Sequence, residues 1–125
     1  MTSFLLDTDC SIYAMLGSHP ALRARLAECE IDEVAISAIS FAEIMLEQAM
    51  GHPPNRKAIK NFIRAVPILP FDDRAAHAYA QMPFKRARFD RLLAAHALSI
   101  GATVITNNEA GFADVPGLKI ENWTL

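Results

Sequence analysis

The chain has 125 residues, 52% of them hydrophobic and 21% charged, which is the size and composition of one ordinary globular domain with a single core. Its opening, MTSFLLD, carries no basic segment and meets an acid after three apolar residues, so a secretory signal or membrane span is not expected and the cytoplasm is the default compartment. The net charge of −2 hides an uneven distribution: residues 53–91 hold nine Lys/Arg against three acids, and the remainder holds three against eleven.

Taken in chain order, residues 3–6 read as a short buried strand, followed by Asp7 and by helices over 8–16 and 21–29. A second strand spans 34–37, with helices over 41–50 and 55–65 behind it. The third strand covers 66–70 and leads to a helix over 73–81. A further helix, 90–100, has almost no polar face after Asp90 and Arg91 and is expected to lie buried at the centre. Gly101 stops it and leads into a fourth strand over 103–106, with a last strand over 118–123. Cys10 and Cys29 fall in helical segments without metal-type spacing and are expected as buried free thiols. No repeat, linker or low-complexity tract divides the chain, so 1–125 reads as one domain.

The alternation of one strand with two helices predicts an α/β fold, a central parallel sheet of four to five strands flanked by helices, because parallel strands require crossovers. In such a sheet every strand ends at the same edge, and helices leaving strands begin there. Asp7 follows the first strand, Glu43 falls in the first turn of the helix after the second, and Asp90 opens the helix that returns to the fourth. The three acids should therefore meet. Each also has an ordinary structural reading: Asp7 or Thr8 as a helix N-cap, Ser40-Phe41-Ala42-Glu43 as a capping box, and Asp90 as an acid favoured by a helix dipole. Their joint occurrence points further, since crowded carboxylates repel unless a cation sits among them. Oxygen donors without a Cys or His pair favour Mg²⁺ or Mn²⁺, a site suited to phosphodiester hydrolysis. Lys85, Arg86, Arg88 and Arg91, close to Asp90, are candidates for holding a nucleic-acid backbone.

Four ordered segments carry a resemblance: Leu5-Leu6-Asp7-Thr8-Asp9; Ala35-Ile36-Ser37-Ala38-Ile39-Ser40-Phe41-Ala42-Glu43; Phe89-Asp90-Arg91-Leu92-Leu93-Ala94-Ala95-His96-Ala97; and Gly101-Ala102-Thr103-Val104-Ile105-Thr106-Asn107-Asn108 with Val115-Pro116-Gly117-Leu118. With these the chain resembles a PIN domain of the VapC-like ribonuclease toxins of toxin–antitoxin pairs. The resemblance implies a PIN-like fold and catalytic metal ligands at Asp7, Glu43 and Asp90, with Mg²⁺ (or Mn²⁺) as cofactor. It also implies an RNA substrate, supporting hydroxyls at Thr8, Ser40 and Thr106, a homodimer, and a cognate VapB-like antitoxin through which alone operator DNA is bound. Three features depart from it. Asn108 and Gly111 stand where many relatives carry further acids, with Glu109 and Asp114 nearby; Asp9 stands where Asn is more common; and residues 82–89 form a shorter segment. Two alternatives keep the same fold, a catalytically weakened binding module and a DNA-directed nuclease. A phospho-receiver domain would need an acceptor Asp after its third strand and a Lys after its fifth; the third strand here ends Pro70-Phe71-Asp72, and no such Lys follows.

Overall fold

The computed structural model describes residues 1–83 and 89–125, so Lys85, Arg86 and Arg88 lie outside the described residues. Five strands, β1 (Phe4–Leu6), β2 (Val34–Ser37), β3 (Ile68–Leu69), β4 (Thr103–Ile105) and β5 (Ile120–Glu121), form one sheet in the order β3-β2-β1-β4-β5. All four pairings are parallel. The helices are α1 (Thr8–Leu16), α2 (Pro20–Ala27), α3 (Ala38–Ala49), α4 (Arg56–Ala65), α5 (Asp73–Gln81) and α6 (Phe89–Ile100), and a 3₁₀ turn spans Glu109–Gly111.

The period of two along each strand divides the core. Leu6, Ile36 and Ile105 are in register and pack with Cys10, Leu22, Ile44 and Ile59 on one face. Leu5, Ala35 and Val104 pack with Leu93, Ala94 and Ala97 of α6 on the other. With both faces covered, the strands carry continuous apolar residues rather than an alternating pattern. The expectation of a buried α6 is met, since five consecutive residues, Leu93 to Ala97, are buried. Gly101, at φ +68°, turns the chain into β4 in a left-handed conformation that suits glycine.

The chain lays down β1, β2 and β3 in one direction and then returns to place β4 on the other side of β1. This reversal opens a crevice at the carboxyl ends of β1 and β4, the usual ligand position in open α/β sheets. The order also differs from the 2-1-3-4-5 sheet of phospho-receivers, and β5 is followed by Asn122 and Trp123, not lysine. Among the described residues, no helix is long and apolar enough to cross a membrane.

Candidate active site

Asp7 sits where β1 ends, and its N–H donates to Ile105 O at 3.0 Å, which ties the ends of β1 and β4 together. Its Oδ1 accepts from the Cys10 N–H at 2.8 Å, so it caps α1. The Thr106 hydroxyl, which favours the charged form of the same carboxylate, accepts from the Asn108 N–H at 2.9 Å. Asp7 is 7% exposed. That burial raises its pKa above the ordinary carboxylate range, against the lowering by the Thr106 and Cys10 hydrogen bonds, and the Asp9 charge raises it further.

Glu43 stands across the crevice on α3, where the Thr8 hydroxyl donates to its Oε1 at 2.6 Å. Its pKa is also raised, first by burial, opposed by the Thr8 bond, and then by the negative charges of Asp90, Asp9 and Asp7. Asp90 lies in the first turn of α6. Asp7, Thr8, Asp9, Glu43, Asp90 and Asn108 line one cleft of about 200 Å³. Ile12, Leu46 and Phe89 give it an apolar rim. The cleft also contains Glu47, which the sequence reading missed. Its spacing of four from Glu43, one turn on the same helical face, was the available signal.

Several expectations change. Helix α3 begins at Ala38, capped by Ser37, whose Oγ accepts from the Ile39 N–H at 3.1 Å. Ser40 is therefore not an N-cap, and Glu43 falls in the second turn rather than the first. The Ser40 Oγ is buried and has no hydrogen-bond partner among the described residues. Arg91 is only 9% exposed, and its Nη2 lies 2.6 Å from Asp114 Oδ2. It braces the loop after β4 and is not free to hold a nucleic-acid backbone. Asp114 is correspondingly turned to Arg91, and Glu109 Oε1 accepts from Asn122 Nδ2 at 3.3 Å. Cys10 is buried and free as expected, whereas Cys29 is half-buried.

The position of Gly111 explains the space beside Asp90. A Cβ there would stand 3.3 Å from Asp90 Oδ2 and 2.7 Å from Asn108 Nδ2. A side chain at 111 would enter the acid cleft, and the Asn108 carboxamide now occupies that place. Among the described residues, no three His, Cys, Asp or Glu side chains stand together in an arrangement that could hold a metal ion by themselves. The donor chemistry nevertheless fits a hard cation. The lining carboxylates offer oxygen donors, Asp7 and Glu43 are disfavoured as anions first by burial and then by neighbouring negative charges, and Mg²⁺ keeps several waters while using only one or two carboxylates directly.

The PIN domain family model matches residues 4–118. A curated relative, the tRNA(fMet)-specific endonuclease VapC of Salmonella typhimurium, is 30% identical over 98% of this chain and 99% of its own length. Among solved structures, the DNA-bound VapBC of Salmonella typhimurium includes a chain that superposes with a TM-score of 0.85 at 28% identity, covering 98% of this chain and 99% of that one. VapBC2 of Rickettsia felis, bound to a DNA fragment from its promoter, gives 0.84 at 25% identity over the same shares.

Proposed function

The chain belongs to the PIN-domain family, and on that premise we propose that it is a metal-dependent endoribonuclease, the toxin of a toxin–antitoxin pair, cutting RNA at Asp7, Glu43 and Asp90. The observation that carries the reading is the meeting of these acids in one cleft at the β1/β4 reversal, where burial disfavours the charged forms of Asp7 and Glu43 and a cation would favour them. Asp7, Glu43 and Asp90 would hold Mg²⁺ or Mn²⁺, directly or through water. A bound divalent ion supplies charge neutralisation at the phosphate and lowers the pKa of an attacking water.

The protein's own contribution is positioning. The Cys10 N–H and the Thr106 hydroxyl fix the Asp7 carboxylate, and the Thr8 hydroxyl fixes Glu43. Asn108, anchored through its N–H on Thr106, places a neutral amide beside Asp90. Asp9 adds negative charge at the cleft mouth, and Ser40 lies one turn before Glu43 on α3. A VapB-like antitoxin partner is supported by the likeness to VapBC structures, two of them with DNA, so operator DNA would be reached through that partner. Homodimer formation and action in the cytoplasm belong to the same proposal.

The test is cleavage of RNA and of DNA of identical sequence, with Mg²⁺, Mn²⁺ or EDTA. Cleavage should favour RNA, stop in EDTA, and fall at least about 100-fold in kcat/KM in Asp7→Asn, Glu43→Gln and Asp90→Asn, about 2.7 kcal/mol of transition-state stabilisation. Asn caps a helix as well as Asp does and carries no buried charge, so in EDTA Asp7→Asn should melt no lower than the wild type. Preference for DNA would make the protein a DNA nuclease. Binding of RNA without cleavage would make it a binding module, and cleavage unchanged by Asp7→Asn would remove these acids from the mechanism.

A further inference from the structure

The acid cleft poses an electrostatic problem for a substrate that is itself a chain of phosphates. Asp7, Asp9, Glu43, Glu47 and Asp90 all line it, so the field near the cleft repels RNA, and attraction must come from elsewhere on the molecule. Arg91, the described member of the basic group beside Asp90, is buried against Asp114. Helix α4 is different. It buries Ile59 and packs Phe62 and Ile63 on the core, while Arg56, Lys57, Lys60 and Arg64 are all exposed.

The spacing places these four cations along one side of α4, with like charges at Arg56/Lys60 and Lys60/Arg64, four apart, and at Lys57/Lys60, three apart. Surface helices ordinarily gain from opposite charges at these spacings, and like charges weaken them. No acid lies between Asn55 and Val66 to offset them, and none of the four forms an ion pair among the described residues. Arg56 and Lys57 moreover occupy the first turn, where the helix dipole favours anions. The arrangement is unfavourable for the isolated helix and favourable for one lying against a polyanion.

Its location fits. Ile12 of α1 and Leu46 of α3 line the acid cleft, while Met15 and Leu16 of α1 and Gln48 of α3 line a neighbouring groove that continues to Arg56. At about 1.5 Å of rise per residue, Gln48 is on the order of 8 Å along α3 from Glu43. A strand with one phosphate at the acids that follows this groove meets α4 at Arg56, in its first turn.

We propose that the exposed cationic side of α4, Arg56, Lys57, Lys60 and Arg64, is the docking surface for the RNA backbone flanking the cleavage site. This rests on the reading of the chain as a ribonuclease, and its test separates the two. Binding of a fluorescein-labelled RNA stem-loop is measured in EDTA across a salt series, and cleavage of the same RNA is measured with Mg²⁺, for the wild type and for a variant combining Lys57→Gln, Lys60→Gln and Arg64→Gln. The variant should bind at least about tenfold more weakly at low salt, and its slope of log affinity against log salt should be shallower by about 2. KM should rise while kcat at saturating RNA stays within about twofold. Lys119→Gln, before β5 at the other edge of the sheet from β3 and its preceding helix α4, should change neither.

All substituted positions are exposed, and a matching melting temperature verifies folding. Unchanged affinity and slope in a variant of a protein that still cleaves RNA overturn the α4 surface and leave the ribonuclease standing, even if that variant loses affinity for a protein partner. Failure of the wild type to bind or cleave RNA overturns the ribonuclease reading itself.

Discussion

Asp7 combines two tasks usually divided between residues, capping α1 through Cys10 and presenting a buried carboxylate to the cleft. Sequence alone left these as competing readings, and the structure makes them compatible, because one oxygen accepts the backbone N–H while the acid still lines the cleft. The 108–111 corner was harder to read. Gly111 carries no side chain to place, and only the backbone shows that a Cβ there would point at Asp90 and at the Asn108 amide. Gly111→Asp should therefore introduce a further carboxylate next to Asp90, displacing Asn108. Without metal the variant should melt lower than the wild type by like-charge repulsion, and with Mg²⁺ it should gain more, because the added oxygen tightens cation binding. Calorimetric titration with Mn²⁺ and paired melts in EDTA and Mg²⁺ check this, and equal metal affinity in the two proteins would show that position 111 does not face the ion.

At the scale of elements, α3 was legible but its start was not. Ser37 and Ser40 both precede apolar runs, and the Ser-x-x-Glu pattern favoured Ser40; the outcome was decided by a tertiary contact that sequence spacing does not contain. Ser37 Oγ stands 2.7 Å from His96 Nδ1 on α6, and His96 is in turn packed edge-on against Phe71 at 5.7 Å. The order β3-β2-β1-β4-β5 was likewise only partly readable: alternation gives parallel strands, but not the side of β1 on which β4 lands. Strand ends shifted for local reasons, since Val66 closes α4 through its N–H to Phe62 O at 2.9 Å instead of opening β3. The Ser37 contact predicts that Ser37→Ala removes a cap worth about 1 kcal/mol and also leaves a buried ring nitrogen unpaired, for a total of about 2–4 kcal/mol. Urea unfolding measures it directly, and a loss below about 0.5 kcal/mol would mean that neither bond matters to stability.

For the whole molecule, stability should depend on pH and on divalent metal together. Asp7 and Glu43 have folded pKa values raised mainly by burial. Their contribution to stability is present in full below the ordinary carboxylate range and is lost as pH rises through the raised values, because the folded state binds more protons there. His96 acts in the opposite sense: burial lowers its pKa, so its contribution is present above the ordinary histidine range and is lost as pH falls through the depressed value. A single pH–stability curve would mix the two. The difference between melts in Mg²⁺ and in EDTA separates them, since His96 is common to both conditions and largely cancels. Metal binding needs ionised carboxylates, so the stabilisation by Mg²⁺ should grow from near zero around pH 4–5 toward about 2.7 kcal/mol at neutral pH when the ion is at about 100 times its dissociation constant. In Asp7→Asn the difference should shrink and flatten. A Mg²⁺-dependent shift that stayed constant across the range would show that the ion binds away from the buried acids.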